Sequence, residues 1–175
     1  KIKINLIPYN FIFNEKNLKK LKLSGVIFSG GNDLSLINNN FENKFRDLNE
    51  QKLLRYALKY KLLILGICRG FQFVAKTISK KSMIITKPKH VNISHKIKIK
   101  DSFFMDKCEL TVNSYHKYCL GNLSHNFKII SQLEDNTIEI AESINKKMLF
   151  FMFHPERKNK SQKQINLYLK RFLNA

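Results

Sequence analysis

The sequence of 175 residues contains few cysteines and no long apolar run. Its three cysteines, Cys68, Cys108 and Cys119, are unevenly spaced, which argues against both a disulfide framework and a cysteine-based zinc site. No segment has the length of a membrane span or the pattern of a signal peptide, so a cytoplasmic setting is expected. The chain begins at Lys1 rather than methionine, which is compatible with a missing N-terminal piece.

Acidic residues are scarce, since 13 Asp and Glu stand against 32 Lys and Arg, and the formal net charge is +19. A basic chain can bind nucleic acid, a membrane surface or anionic small molecules. The lysines are scattered among Asn, Ile and Phe rather than gathered in one segment. We therefore expect a small-molecule substrate that can be anionic, and neither a specific nucleic acid nor a membrane partner. A homodimer is also compatible with the sequence.

A content of 43% hydrophobic and 26% charged residues is typical of a globular protein, and we expect a single domain over residues 1–175. Apolar strands alternate with helical patterns, without internal repeats. Strands are predicted at 1–8, 24–28, 62–65, 91–100, 110–112, 127–133, 137–142 and 148–153, and helices at 14–22, 43–59, after Cys68 and at the C-terminus. A stripe on the second helix is expected to face the core, formed by Phe41, Phe45, Leu48 and Leu58 and widened by Leu53, Leu54 and Ala57.

The segment 62–72 carries the strongest chemical signal in the sequence. An apolar run enters Gly66-Ile67-Cys68-Arg69-Gly70, and helical spacing follows. This is the pattern of a nucleophile elbow, with cysteine in place of serine. The glycines permit a sharp turn, and the start of the helix directs N–H groups at the sulfur, which favours the thiolate. A buried structural cysteine is the alternative that a cysteine taken alone would favour.

A catalytic cysteine needs a base, a group that orients the base, and donors for the oxyanion. His154 directly follows the second buried apolar segment, and Glu156 can reach back to its imidazole. Cys68, His154 and Glu156 are therefore predicted to be nucleophile, base and orienting group. The backbone N–H of Arg69 is the expected first oxyanion donor, and the Gly30–Gly31 turn is the expected second. Taken singly, His154 and Glu156 would each be interpreted as surface residues.

Five segments together resemble the class I glutamine amidotransferase-like family, and more closely its γ-glutamyl hydrolase branch, peptidase family C26. They occur in the order of the family across nearly the whole chain: 25–33 (GVIFSGGND), Arg46-Asp47 with Glu50, 65–72 (LGICRGFQ), 112–116 (VNSYH) and 153–156 (FHPE). The arginine after the cysteine resembles the hydrolases of this branch more than the amidotransferases that supply ammonia.

The resemblance implies an α/β fold, a flavodoxin-like three-layer sandwich with a mostly parallel central sheet. It implies cleavage of a γ-glutamyl amide through a γ-glutamyl thioester on Cys68, with no metal or organic cofactor. Gly30 or Gly31 and Arg69 would supply the oxyanion N–H groups. By position in the family motifs, the glutamyl group would be held by Gln72, Asn113, Ser114 and Tyr115, with His116 close by.

The side of the site that faces the leaving group stays open at this level. Tyr118 stands where relatives often carry glutamine, residues 151–153 are bulkier than in relatives, and the first strand and helix of the family would precede Lys1. The leaving group is expected to be a small amine, as from γ-glutamyl-γ-aminobutyrate, or a phosphoramidate, as from γ-glutamyl-CDP-amidate. The basic strand 96–100 slightly favours the second. Two alternatives are a glutaminase subunit that delivers ammonia to a synthase partner and a basic, non-catalytic binding module.

Overall fold

The computed structural model describes residues 6–8 and 13–175, which form four α-helices and nine strands. The helices are α1 (Glu15–Lys20), α2 (Phe41–Lys59), α3 (Arg69–Ile78) and α4 (Gln162–Leu173). The strands are β1 (Gly25–Phe28), β2 (Leu63–Ile67), β3 (Met83–Thr86), β4 (Val91–Ile99), β5 (Cys108–Tyr115), β6 (Tyr118–Asn122), β7 (Phe127–Gln132), β8 (Ile138–Ser143) and β9 (Met148–Phe151). The strand predicted at 1–8 falls largely outside the described residues.

The main sheet has five strands in the order β1-β2-β9-β8-β7. Strand β2 pairs in parallel with both β1 and β9, whereas β8 pairs antiparallel with β9 and β7. The sheet is therefore parallel only in the half that contains β2, and it is less parallel than the sequence led us to expect. Two antiparallel pairs, β3–β6 and β4–β5, lie beside it.

Side chains of the central strands alternate between two hydrophobic cores, because neighbouring residues of a strand point to opposite faces. On β9, Phe150 stacks on Phe71 of α3 with ring centroids 4.9 Å apart. The next residue, Phe151, meets Tyr168 of α4 edge-on at 5.6 Å. The first core also contains residues of α1 and α2, and the second contains residues of β4 and β5. Helices on both faces make the three layers that were predicted.

Helix α2 begins where Asn40 caps it, since the Asn40 side chain accepts a hydrogen bond from the backbone N–H of Asn43 at 2.8 Å. Four residues of the stripe predicted for this helix are exposed rather than buried, namely Phe41, Phe45, Leu48 and Leu58. Phe41 is 80% exposed and Leu48 is 59% exposed, whereas the buried apolar residues are Leu53, Leu54, Tyr56 and Ala57. The reason is that the first half of α2 turns charged side chains toward the site described below. None of the described helices combines the length and the apolar character that a membrane span requires.

Candidate active site

The turn at Cys68 joins β2 directly to α3 at the carboxyl edge of the parallel strands. Cys68 has φ 50° and ψ −108°, a left-handed conformation that is strained for a residue with a side chain. Its backbone N–H donates to the carbonyl of Phe151 at 2.8 Å, which fixes the turn to the end of β9. The strand, sharp turn and helix predicted for this segment are confirmed.

Gly70 allows the first turn of α3 to pack against the end of β1. A Cβ atom at this position would lie 1.9 Å from the carbonyl oxygen of Phe28 and 2.4 Å from its carbonyl carbon. Both atoms belong to the backbone of β1, which is hydrogen-bonded to β2, so neither can move aside easily. Position 70 must therefore be glycine, because a side chain there would prevent the turn at Cys68 from packing between β1 and β9.

Cys68 and His154 both approach Gly30, which lies in the turn that follows β1. A Cβ atom on Gly30 would be 2.8 Å from Cε1 of His154 and 3.6 Å from Cβ of Cys68. His154 is buried, and its Nδ1 lies 2.6 Å from Oε1 of Glu156. Within the described part of the chain, no hydrogen bond joins the Cys68 thiol to the imidazole. The structure thus brings the three residues predicted as nucleophile, base and orienting group to one place.

Burial raises the pKa of the Cys68 thiol to about 11, because a thiolate is poorly solvated there. A hydrogen bond from the backbone N–H of Arg69 opposes this rise, and the negative charges of Glu156 and Glu139 add to it. The helix start does stabilise the thiolate as expected, but burial outweighs it. In Glu156, burial acts to raise the pKa, yet the hydrogen bond with His154, a hydrogen bond from the Glu156 backbone N–H and the nearby charge of Arg157 together lower it.

The backbone of His154 is clamped by an asparagine on β5. The Asn113 side chain accepts from the N–H of His154 at 2.9 Å and donates to its carbonyl oxygen at 2.8 Å. Asn159 donates to the same carbonyl at 3.0 Å and accepts from the N–H of Asn113 at 2.8 Å. Asn113, predicted to hold a glutamyl group, therefore positions His154. Nothing in the sequence around Asn159 indicated its part in this clamp.

An ion-pair network around the buried Arg69 supports the turn that contains Gly30. The guanidinium of Arg69 is 2% exposed and donates to both Asp47 and Glu50 of α2. Glu50 also accepts from Nε of Arg46 at 2.8 Å. Arg46 in turn donates to the carbonyl oxygens of the Ser29–Gly30 turn at 3.0 and 3.2 Å. Arg69 therefore contributes its backbone N–H beside Cys68 and its side chain to this support.

The other predicted substrate-binding residues occupy different surroundings. Gln72 is buried and donates to the carbonyl of Tyr118 at 2.7 Å, and Ser114 is buried and donates to the carbonyl of His90 at 2.5 Å. Tyr115 is 41% exposed, and its ring lies 6.0 Å from that of His154. The remaining two are Gly31, where a Cβ atom would lie 2.6 Å from Nη1 of Arg46, and His116, which lies in a buried group of histidines.

Comparison with known proteins identifies relatives across most of the chain. The family model described as Peptidase C26 matches residues 13–156. A gamma-glutamyl-CDP-amidate hydrolase from Campylobacter jejuni is 33% identical over 153 residues, which cover 87% of this chain and 72% of the relative. One subunit of a glutamine-hydrolyzing GMP synthase from Pyrococcus abyssi is 30% identical over 142 residues, covering 81% and 70%.

The solved structures support the same fold. The crystal structure of a proposed GMP synthase subunit from Thermoplasma acidophilum superposes with a TM-score of 0.69 at 20% identity. The match covers 89% of this chain and 74% of that protein. This likeness confirms the predicted class I glutamine amidotransferase-like fold.

The close approach of Gly70 to Phe28 predicts that Gly70→Ala will lower the free energy of unfolding by at least about 2 kcal/mol, because backbone atoms must shift. Gly121→Ala is a matched control, since its Cβ would meet only the flexible side chain of Ile85 at 3.0 Å. Urea unfolding followed by circular dichroism measures both variants. Equal stability of Gly70→Ala and the wild type would contradict the packing described here.

The raised pKa of Cys68 predicts that its alkylation by iodoacetamide will keep accelerating as the pH rises past 9, because the thiol is only half converted to the reactive thiolate at about pH 11. Mass spectrometry of the peptides separates Cys68 from Cys108 and Cys119. Free glutathione, which behaves as an ordinary thiol, gives the reference profile. A rate for Cys68 that levels off below pH 8 would instead indicate a thiolate already formed at rest.

Proposed function

Because the chain belongs to the peptidase C26 family, we propose that it is a cysteine-dependent hydrolase that cleaves a γ-glutamyl amide bond. The observation that carries the proposal is the meeting of Cys68 and His154 at Gly30, with Glu156 hydrogen-bonded to Nδ1 of the imidazole. Nucleophile, base and orienting group are the parts that acyl transfer through a thiol requires.

In the first half of the reaction, His154 takes the proton of the Cys68 thiol, and the sulfur attacks the γ-carbonyl carbon. Nδ1 of His154 is hydrogen-bonded to Glu156, so Nε2 is the nitrogen that exchanges a proton with the Cys68 sulfur. The C–N bond then breaks as His154 returns the proton to the leaving nitrogen. The amine departs, and the glutamyl group remains as a thioester on Cys68.

In the second half, water attacks the thioester while His154 accepts one of its protons. The C–S bond breaks, glutamate leaves, and the proton returns to the Cys68 sulfur. Negative charge develops on the carbonyl oxygen in both halves, and the N–H of Arg69 is the donor already directed at the sulfur. We place the second donor in the Gly30–Gly31 turn, where Arg46 holds the carbonyl groups of Ser29 and Gly30.

The leaving group in this proposal is anionic, as in the substrate named for the Campylobacter jejuni relative. Arg157 lies with its guanidinium 4.6 Å from the centre of the Tyr115 ring, and that ring is 6.0 Å from the His154 ring. An exposed cation and an aromatic face beside the base suit a phosphate and a nucleobase. The lysines of strand 96–100 do not add to this positive charge, because Lys96 and Lys98 pair with Thr111 and Glu109 of β5, away from Tyr115.

A glutaminase subunit is the second candidate function, because the Pyrococcus abyssi relative is part of a glutamine-hydrolyzing synthase. Such a protein would hydrolyse glutamine slowly by itself and much faster with its synthase. Full turnover of a γ-glutamyl substrate by the purified chain supports the free-standing hydrolase. Negligible turnover that a synthase partner restores would support the second candidate instead.

The nucleophile is tested by incubation with a diazo-ketone analogue of glutamine followed by peptide mass spectrometry. We expect one adduct, on Cys68, and its complete loss in Cys68→Ser. Cys108→Ser is the matched control and should be labelled like the wild type, because Cys108 lies on β5 outside the site. Labelling of Cys108 or Cys119, or full hydrolysis by Cys68→Ser, would contradict the mechanism.

The leaving-group side is tested with Arg157→Gln, assayed on γ-glutamyl-CDP-amidate and on a γ-glutamyl anilide, whose leaving group is uncharged. We expect kcat/KM for the anionic substrate to fall about five- to tenfold more than for the anilide, because one charge-assisted contact is lost. Arg55→Gln removes an exposed arginine on α2 and should leave the ratio unchanged. Equal losses on both substrates would overturn the anionic assignment while leaving the hydrolase intact.

A further inference from the structure

Three of the five histidines meet a glutamate in the interior of the protein. His90, His95, His116 and Glu139 are all buried, and Glu139 has no exposed surface at all. One ligand atom from each residue lies within 4.8 Å of the corresponding atoms of the other three. The proposed reaction uses none of these four side chains.

The polar atoms of this group lack the partners that buried polar atoms normally have. Both carboxylate oxygens of Glu139 are without a hydrogen bond, and so are both ring nitrogens of His116. Nδ1 of His90 and Nε2 of His95 are also unpartnered. The shortest approaches to Oε1 of Glu139 are 3.5 Å from His116 and 3.7 Å from His95. A buried carboxylate left in this way is costly unless a cation neutralises it.

We propose that His90, His95, His116 and Glu139 bind one divalent transition-metal ion, with zinc as the ion that fits best. Three imidazole nitrogens and one carboxylate oxygen are donors that zinc accepts in a tetrahedral arrangement. Bonds of about 2.0–2.2 Å would place neighbouring donor atoms roughly 3.4 Å apart. The four side chains need to draw together by only about 1 Å from their present positions to do so.

A carboxylate behind His90 gives the arrangement a further property of metal sites. Oδ2 of Asp135 lies 2.9 Å from Nε2 of His90 and so holds the ring by the nitrogen that faces away from the group. The other nitrogen, Nδ1, is left free for a metal ion. Metal-binding histidines commonly have such an outer carboxylate, which fixes the tautomer and the orientation of the ring.

The position of the group indicates a structural ion rather than a catalytic one. Four protein ligands close the coordination sphere, which is typical of structural zinc. His95 lies on β4, His90 and His116 flank the β4–β5 pair, and Glu139 lies on β8 of the main sheet. The ion would tie this pair of strands to the main sheet. The carbonyl of Glu139 also accepts from Met152, two residues before His154, so the ion would steady the backbone behind the base.

The test uses protein whose affinity tag has been removed, purified without chelator, and measures its metal content by mass spectrometry. We expect about one zinc ion per chain in the wild type, in Cys68→Ser and in His125→Gln, and none in Glu139→Gln or His95→Gln. His125 is the matched control because it is an exposed histidine outside the group. Cys68→Ser excludes binding by the thiol of the active site.

A titration of chelator-treated protein gives an independent readout. Co²⁺ should produce the visible absorption of a tetrahedral site, and Zn²⁺ should raise the thermal midpoint by at least about 5 °C. Asp135→Asn should weaken zinc binding about 10- to 100-fold. A wild type that neither contains nor takes up stoichiometric Zn²⁺ or Co²⁺ would overturn the proposal. Equal binding by wild type and Glu139→Gln would overturn it too. If Glu139→Gln fails to fold, the zinc content of His95→Gln and the titration of the wild type test the proposal instead.

Discussion

The buried guanidinium of Arg69 joins the three segments from which the site is made. Arg69 begins α3 directly after Cys68, and its side chain is held by Asp47 and Glu50 of α2. Glu50 also forms an ion pair with Arg46, and Arg46 donates a hydrogen bond to a backbone carbonyl of the turn after β1. A charge that is 2% exposed must have partners, since an unpaired one would destabilise the fold by several kcal/mol. Because this one charge must be paired, the turn at Cys68, helix α2 and the turn that contains Gly30 are held at fixed distances from one another.

A second polar contact fixes the other side of the site by the same logic. The segment after β9 has left the sheet, so the backbone of His154 has no neighbouring strand with which to pair. Asn113 replaces that strand, because its amide offers one donor and one acceptor in the spacing of a peptide group. Most polar side chains around Cys68 are used in this way to hold backbone. The imidazole is thus positioned from both ends, through its backbone by Asn113 and through its ring by Glu156.

Local patterns predicted the elements of the site well, whereas contacts distant in sequence were not predictable. The elbow was readable because glycines, a cysteine and an apolar strand adjoin one another along the chain. Asn113 is hydrogen-bonded to His154, which is 41 positions away, and nothing in the sequence around an asparagine indicates so distant a partner. The same holds for His90 and Glu139, which are distant in sequence and approach each other only in the folded chain. The apolar stripe expected on α2 failed because charges of the site, rather than the core, decide which way its first half faces.

Burial of Cys68 has two opposing effects on the proposed chemistry. It keeps the sulfur protonated at rest, since burial raises the pKa of the thiol to about 11, and a protonated thiol resists oxidation and unwanted alkylation. It also excludes water, so the charges that form during the reaction interact strongly with the N–H of Arg69 and with the imidazole. Proton transfer to His154 then requires the two side chains to come into hydrogen-bonding contact, which the resting structure lacks. A substrate that binds at Gly30 and excludes water can supply that contact, and reactivity then depends on the presence of substrate.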